Sequence, residues 1–517
     1  MSRVKKFFEN AILLTLTALL MRGVGLAFNV WLSNKVGAEA LGLFSLISGV
    51  YGFALTLATS GIALAVTRMV AEALGHDDHS LVRASMKRCL TYAAFFGLLA
   101  FLLLFSFAEA IGIHWLKDAR TVRPLKIMSL TLPLIALCSA MNGYFTAVRR
   151  VAKNAASQIA EQAVKIAVTV TFITTLLPDG IENACIALVL GGAVSEVLSF
   201  IVMTVMYLAD KKRHIKVKHS GKSCDGVTKK LLGIALPVAF STYARSGLLT
   251  LEHTLIPIGL KKHGANHERA LATYGVLGSM AMPVILFPTA LISSFSSMTI
   301  PEISDCIARG HKTRIKYRAS RIWQFSLLFS IGVSGILICF SGELVRVLYS
   351  NEEAATYIRM LAPLIPIMYL DTTTDALLKG LGEQLYSMNI NIIDAALSVL
   401  LVWLLVPVWG IYGYIFVIIA MEVLNFGMSA TRMLNVSGMK PKIFSWVVKP
   451  MCCIVASAFL SKKFFDGFNM TNIPWLSLTL HIVFATLLYI LFISLTRTVD
   501  DEDFEWLKGI FKKRPES

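Results

Sequence analysis

Apolar positions along this chain come in long unbroken runs rather than in stripes. The runs lie near 10–33, 41–66, 88–113, 125–148, 155–177, 183–209, 230–259, 271–299, 319–342, 357–380, 386–407, 409–432, 444–464 and 474–496. Each reaches the ~20 residues with which an α-helix crosses the hydrocarbon core of a bilayer. They are too long for the strands of a membrane barrel and lack its two-residue alternation. The pattern predicts an all-α polytopic membrane protein with about fourteen transmembrane helices. After residue 497 the pattern changes. Phe504, Leu507, Ile510 and Phe511 share one helical face, opposite Glu505, Lys508 and Lys512. That periodicity predicts a short amphipathic helix on the cytoplasmic membrane surface.

Composition agrees. Hydrophobic residues make up 56% of the 517 and charged residues 16%, with a mean hydropathy of +0.67. Soluble domains run roughly 45–50% apolar and about 25% charged. A disordered chain, a coiled coil and a secreted disulfide scaffold are excluded, and no long polar stretch offers room for a soluble domain. The eight cysteines show no metal-ligand or C-x-x-C spacing, and adjacent Cys452 and Cys453 read as buried membrane thiols. Lys5 and Lys6 precede an apolar run too long for a signal-peptide core, which predicts an uncleaved first helix.

The charge is strongly basic, with 49 Lys and Arg against 32 Asp and Glu, a net +17. On a soluble protein that excess would suggest nucleic acid. Here the basic residues fall between apolar runs, so no nucleic-acid partner is expected. The N-terminal side and every second connection hold 34 of them and the opposite connections 12, with Arg22, Lys165 and Arg245 inside helices. The positive-inside rule then puts both termini in the cytoplasm. The densest cluster, from Lys211 to Lys230, reads as a basic cytoplasmic linker.

Transporters are often built from repeated bundles. Residues 233–255 lie on 10–32 at an offset of 223, which brings Arg245 onto Arg22 and Glu252 onto Asn29. Gly310-His311 matches Gly75-His76 at offset 235, while Pro366 matches Pro133 and Asp394 matches Glu161 at offset 233. These ordered matches predict two pseudo-symmetric six-helix lobes, 1–209 and 230–432. The linker 210–229 would join them, and two extra helices over 433–496 and the tail 497–517 would follow.

A charge at the bilayer centre costs about 2.5–3.5 kcal/mol on insertion scales and usually faces a cavity or a partner. Arg22 and Arg245 lie too deep in their runs for easy snorkelling. Each has a polar residue seven positions later, Asn29 and Glu252, on the same helical face. Two facing lobes would point both arginines into one central cavity, where the guanidinium fork suits phosphate oxygens. The competing reading is a structural salt bridge such as Arg245 with Glu252. A second group, Asp371, Asp375, Asn391 and Asp394, has the oxygens to hold Na⁺ or relay H⁺. Helix caps and an Asp375–Lys379 pair are its competing account. Glu161 and Lys165, four apart, read as a local ion pair, and Glu196 and Glu422 as acids packed against another helix. Catalytic motifs are missing. Gly221-Lys222-Ser223 resembles the end of a P-loop, but Lys216 occupies the first required glycine. No external loop is long enough for the large catalytic loop of a polymerase or ligase, and no sequence suggests a selectivity filter. Neither enzymatic activity nor a cofactor is expected.

Three stretches carry a resemblance: MNGYFTAVRRVAKNAASQIAEQAVKI (141–166), ALPVAFSTYARSGLLTLEHTLIPIGL (235–260) and YGVLGSMAMPVILFPTALISSFSSMTIPEIS (274–304). They resemble the multidrug/oligosaccharidyl-lipid/polysaccharide exporter superfamily, in particular its polysaccharide branch. Thr146, Ala147 and Lys165 depart from the pattern at positions where Gln, Gly and Arg are common. The resemblance implies a flippase that moves a lipid-linked saccharide on an undecaprenyl diphosphate carrier to the outer leaflet by alternating access. A cell-wall precursor or a surface-polysaccharide unit would be the substrate, with membrane lipids around it. A cation-coupled drug-efflux pump of the same superfamily is the alternative. A membrane-embedded glycan transferase or ligase is the alternative of another class.

Overall fold

In a bilayer no water is present to satisfy the backbone, so each spanning segment must pair its own N–H and C=O groups, and helices result. The computed structural model describes residues 3–75, 78–148, 150–176, 180–214, 226–308, 310–349, 351–466, 474–496 and 498, and shows no strand among them. The expected tail helix after 497 and most of the basic linker, 215–225, lie outside the described residues. The all-α expectation holds.

The chain forms two compact units. The first contains α1 (Arg3–Thr59), α2 (Ile62–Gly75), α3 (His79–Ala110), α4 (Val122–Ser129), α5 (Leu132–Ala147), α6 (Val151–Leu176), α7 (Ile181–His214), α8 (Val227–Lys262) and α9 (His267–Gly275), with residues 395–414. The second contains α10 (Met282–Leu286), α11 (Thr289–Ala308), α12 (Lys312–Leu348), α13 (Glu353–Leu361), α14 (Ile365–Gly380), the rest of α15 (Gln384–Ser437), α16 (Lys449–Asp466) and α17 (Pro474–Leu495).

In the first unit, Leu43, Ile47, Val66, Met86, Tyr144 and Phe145 form the centre of the core. α1 bends at Gly37, whose φ of 83° suits only glycine without strain. The helical run then breaks at Ser60 and Gly61, between α1 and α2. The segment after the bend runs along α8, where Thr56 Oγ1 donates to Ser246 Oγ at 3.0 Å and Thr250 Oγ1 to the Gly49 carbonyl at 2.9 Å, and α2 adds Glu72, which pairs with Lys230. These bonds make α8 part of the first compact unit, although the repeat argument counts it with the second lobe. α9 crosses the start of the same segment backbone to backbone. A Cβ on Gly42 would overlap the Leu271 carbonyl, and one on Gly275 the Ala38 carbonyl. Gly275→Val is therefore expected to lower thermal stability by several degrees or abolish folding, read by a melt in detergent, whereas exposed Gly278, with open space beside it, should accept alanine.

The second unit packs around Trp323, Leu327, Ile331, Leu377, Met433, Trp446 and Tyr489. Polar groups inside it satisfy backbone carbonyls: Tyr369 Oη donates to Ile285 at 2.7 Å, Ser334 Oγ to Ala362 at 2.7 Å and Tyr489 Oη to Leu328 at 2.8 Å.

Nine helices among the described residues are long and apolar enough to cross a membrane, or ten counting the bent pair over Ala119–Ala147. The sequence predicted about fourteen spans, and the difference has local causes. α1 and α15 each run through a bend, at Gly37 and Gly410, and each covers two of the apolar runs. α6 carries Lys153, Glu161 and Lys165, and residues 357–380 are divided among α13, a 3-10 turn and α14 beside Pro363 and Pro366.

Candidate functional site

Arg22 sits mid-way along the first leg of α1 and is half-buried, and Arg245 sits mid-way along α8 and is exposed. Neither makes an ion pair or hydrogen bond among the described residues, so the Arg245–Glu252 salt bridge is not formed. Glu252 is buried, 9% exposed, whereas Arg245 on the same helix is exposed. Asn29 donates from Nδ2 to the Ser279 carbonyl at 2.7 Å, and Ser279 Oγ also bonds Ser45 Oγ at 2.8 Å. Asn29 thus fastens α1 to the segment after α9. An exposed guanidinium in the middle of an apolar helix is costly against lipid and stable against a polar space or an anion. The two arginines are therefore available cations, able to make forked hydrogen bonds to phosphate oxygens.

The acidic group in the second unit divides in two. Asp375 accepts from Lys379 Nζ at 2.7 Å and from Ser387 Oγ, and Asn391 donates to the Ser387 carbonyl at 2.9 Å. Both are engaged locally, at the junction of α14 and α15. Asp371 and Asp394, in contrast, lie close enough to Glu422 for their charges to act on it. Glu422 completes that group, and its position in the sequence, 28 residues after Asp394 in the same bent helix, gave no sign of this. Among the described residues no three His, Cys, Asp or Glu side chains stand at metal-ligand spacing.

In the first unit the Glu161–Lys165 pair is not made. Glu161 instead accepts from Ser199 Oγ at 2.9 Å, and both Glu161 and Lys165 act electrostatically on Glu196. Close packing of α6 on α7 gives Glu161 a partner across the interface.

Two further ion networks lie at opposite ends of this unit. At the ends of α5 and α7, Asp210, with its side chain 2% exposed, accepts from Tyr144 Oη at 2.9 Å, from Lys153 Nζ at 2.6 Å and from Arg150. Tyr144, Arg150 and Lys153 all come from the 141–166 stretch that carries the family resemblance. At the other end, Asp118 accepts from Arg120 Nε, Nη2 and backbone N at 3.0, 2.8 and 3.0 Å, and Arg120 Nη1 reaches Glu39 at 3.0 Å. His267 Nε2 lies 2.6 Å from Asp118 Oδ2. Because a carboxylate only accepts, Nε2 carries the proton. Burial works to raise the Asp118 carboxyl, but hydrogen bonds from Arg120 and His267 outweigh it and hold it below the usual aspartate range. Its contribution to stability is full above that range and lost only as pH falls through the lowered value.

An apolar cavity of about 400 Å³ lies in the second unit between α12 and α17, lined by Phe325, Phe329, Val333, Thr486, Tyr489 and Ile490. It has no charged wall and suits hydrocarbon rather than an anion.

These features define a class: a polytopic helical membrane protein with available arginines inside its membrane helices. The chain belongs to the polysaccharide biosynthesis protein family, whose profile matches residues 7–307, and so to the multidrug/oligosaccharidyl-lipid/polysaccharide exporter superfamily; the MatE profile matches residues 263–404. It is 27% identical over 493 residues to stage V sporulation protein B of Bacillus subtilis (strain 168), covering 93% of this chain and 95% of that protein. It is 23% identical over 429 residues to the lipid II flippase MurJ of the same organism, covering 77% and 76%. Among solved structures, the inward closed conformation of lipid II flippase MurJ superposes with a TM-score of 0.68 at 15% identity, over 94% of this chain and 98% of that one. An inward-facing multidrug resistance MATE family transporter gives 0.63 at 15% identity, over 82% and 99%. The structural likenesses establish the fold.

Proposed function

We propose that this protein is a flippase that carries a lipid-linked saccharide, on an undecaprenyl diphosphate or similar carrier, from the cytoplasmic to the outer leaflet of the cell membrane. The single observation that carries this reading is the pair Arg22 and Arg245, two mid-membrane cations with no ion partner among the described residues. The similarity to the lipid II flippase MurJ and the match to the polysaccharide biosynthesis protein family support the same substrate class. In this reading the arginines hold the diphosphate, with Asn29 and Glu252 on the same helical faces, and the polyprenyl chain stays in hydrocarbon. The chain works as two lobes, 1–209 and 230–432, by alternating access, with both termini cytoplasmic as the loop charges require. Moving an anion outward is favoured by about 2.3 kcal/mol per charge per 100 mV when the cell interior is negative. A coupling ion, Na⁺ or H⁺, would use Asp371 and Asp394 with Glu422 beside them, while Asp375 and Asn391 order the junction next to it.

The test is a leaflet-resolved assay in proteoliposomes of the purified protein, with undecaprenyl-diphosphate-linked saccharides and, separately, cationic drugs. Protein-dependent flipping of the lipid-linked saccharide is expected, without drug uptake, because unpaired arginines repel a cation. Drug uptake alone would favour the efflux reading. Formation of a glycan product by the pure protein with donor and acceptor would favour a transferase.

A further inference from the structure

The Asp118 network has no role in the substrate binding proposed above, yet it joins three separate connections. Glu39 lies just past the Gly37 bend of α1, Asp118 and Arg120 lie between α3 and α4, and His267 is the first residue of α9. α9 and the segment after it are held twice more against α1: by the crossing of Gly42 and Gly275, and by the bonds of Ser45 and Asn29 to Ser279. All of these contacts lie inside the first unit, at the end where α1 bends.

We propose that the Asp118 network is a releasable latch that keeps α9 against α1 and must part for the carrier to open at this end. The proposal rests on the alternating-access reading.

Two features separate a latch from a permanent staple. The Asp118–Arg120 pair is local, two residues apart, so only the His267–Asp118 and Glu39–Arg120 links have to break. Those links are within reach of water, with the side chains of His267, Arg120 and Glu39 31%, 28% and 20% exposed, so the parted groups can be solvated again.

The test uses the full chain in proteoliposomes. A cysteine at Ser279 is reacted with a bulky membrane-impermeant maleimide applied to each side in turn, with the parent chain as the baseline for native cysteines. His267→Ala and Glu39→Gln, which leave the Asp118–Arg120 pair in place, should each raise the labelling rate from one side about tenfold, the shift expected on losing one charge-assisted hydrogen bond. Size-exclusion profiles should stay unchanged. Oxidative cross-linking of Ser45→Cys with Ser279→Cys should stop transport, and a reductant should restore it. An unchanged labelling rate in both folded variants would overturn the latch, as would normal transport by the cross-linked protein. Labelling needs no substrate, so its failure would leave the flippase reading untouched, and a failed flipping assay would leave the labelling result standing.

Discussion

Arg22→Ala or Arg245→Ala is expected to reduce flipping by roughly 10- to 150-fold while leaving the protein folded. That range corresponds to losing one charge-assisted hydrogen bond, about 1.5–3 kcal/mol, to a bound diphosphate. Folding should survive because neither guanidinium supports another side chain: Arg245 is exposed, Arg22 half-buried, and neither is ion-paired among the described residues. Lysine at either position should restore transport only in part, since a point charge lacks the two-pronged fork. Adding Glu252→Gln to Arg245→Ala should bring no recovery, as the structure contains no pair for it to compensate. Initial flipping rates and melting temperatures of these variants, measured together, decide the matter. Normal flipping by the double alanine variant would falsify the anion-site reading.

Asp210→Ala is expected to have the largest effect on stability. It removes the buried carboxylate to which Tyr144, Lys153 and Arg150 all donate, and it leaves two cations and a phenol without their acceptor. Breaking such a cluster from its centre costs roughly 3–5 kcal/mol. A fall in melting temperature should be visible in detergent, and expression should drop. Asp210→Asn combined with Lys153→Met should recover part of the loss, because one uncompensated cation is removed along with the charge. Lys153→Met alone should cost less, since its side chain is 34% exposed and the carboxylate keeps Arg150 and Tyr144.

Much of this protein was legible in the chain. Runs of twenty or more apolar residues leave the backbone only one way to satisfy itself in a bilayer, so the all-α membrane architecture follows from hydropathy alone. The depth of Arg22 and Arg245 could likewise be counted along the sequence, because depth in a straight helix is residue number times rise. Other features depended on which helices meet. Glu161 and Lys165 have the spacing of an ion pair, but packing of α6 on α7 offers Ser199 instead. Arg245 and Glu252 share a face, yet the acid is buried while the arginine is exposed. For Asp375 the local reading, an i,i+4 pair with Lys379, is the one that forms, and only its second partner, Ser387 across the junction with α15, was not legible in that spacing. Asp118, Glu39 and His267 have no sequence pattern at all, being separated by 79 and 149 residues. A run of apolar residues constrains each helix separately through its own hydrogen bonds and its transfer from water. The partners of a polar side chain depend on contacts between helices far apart in the chain, and only the tertiary structure decides those.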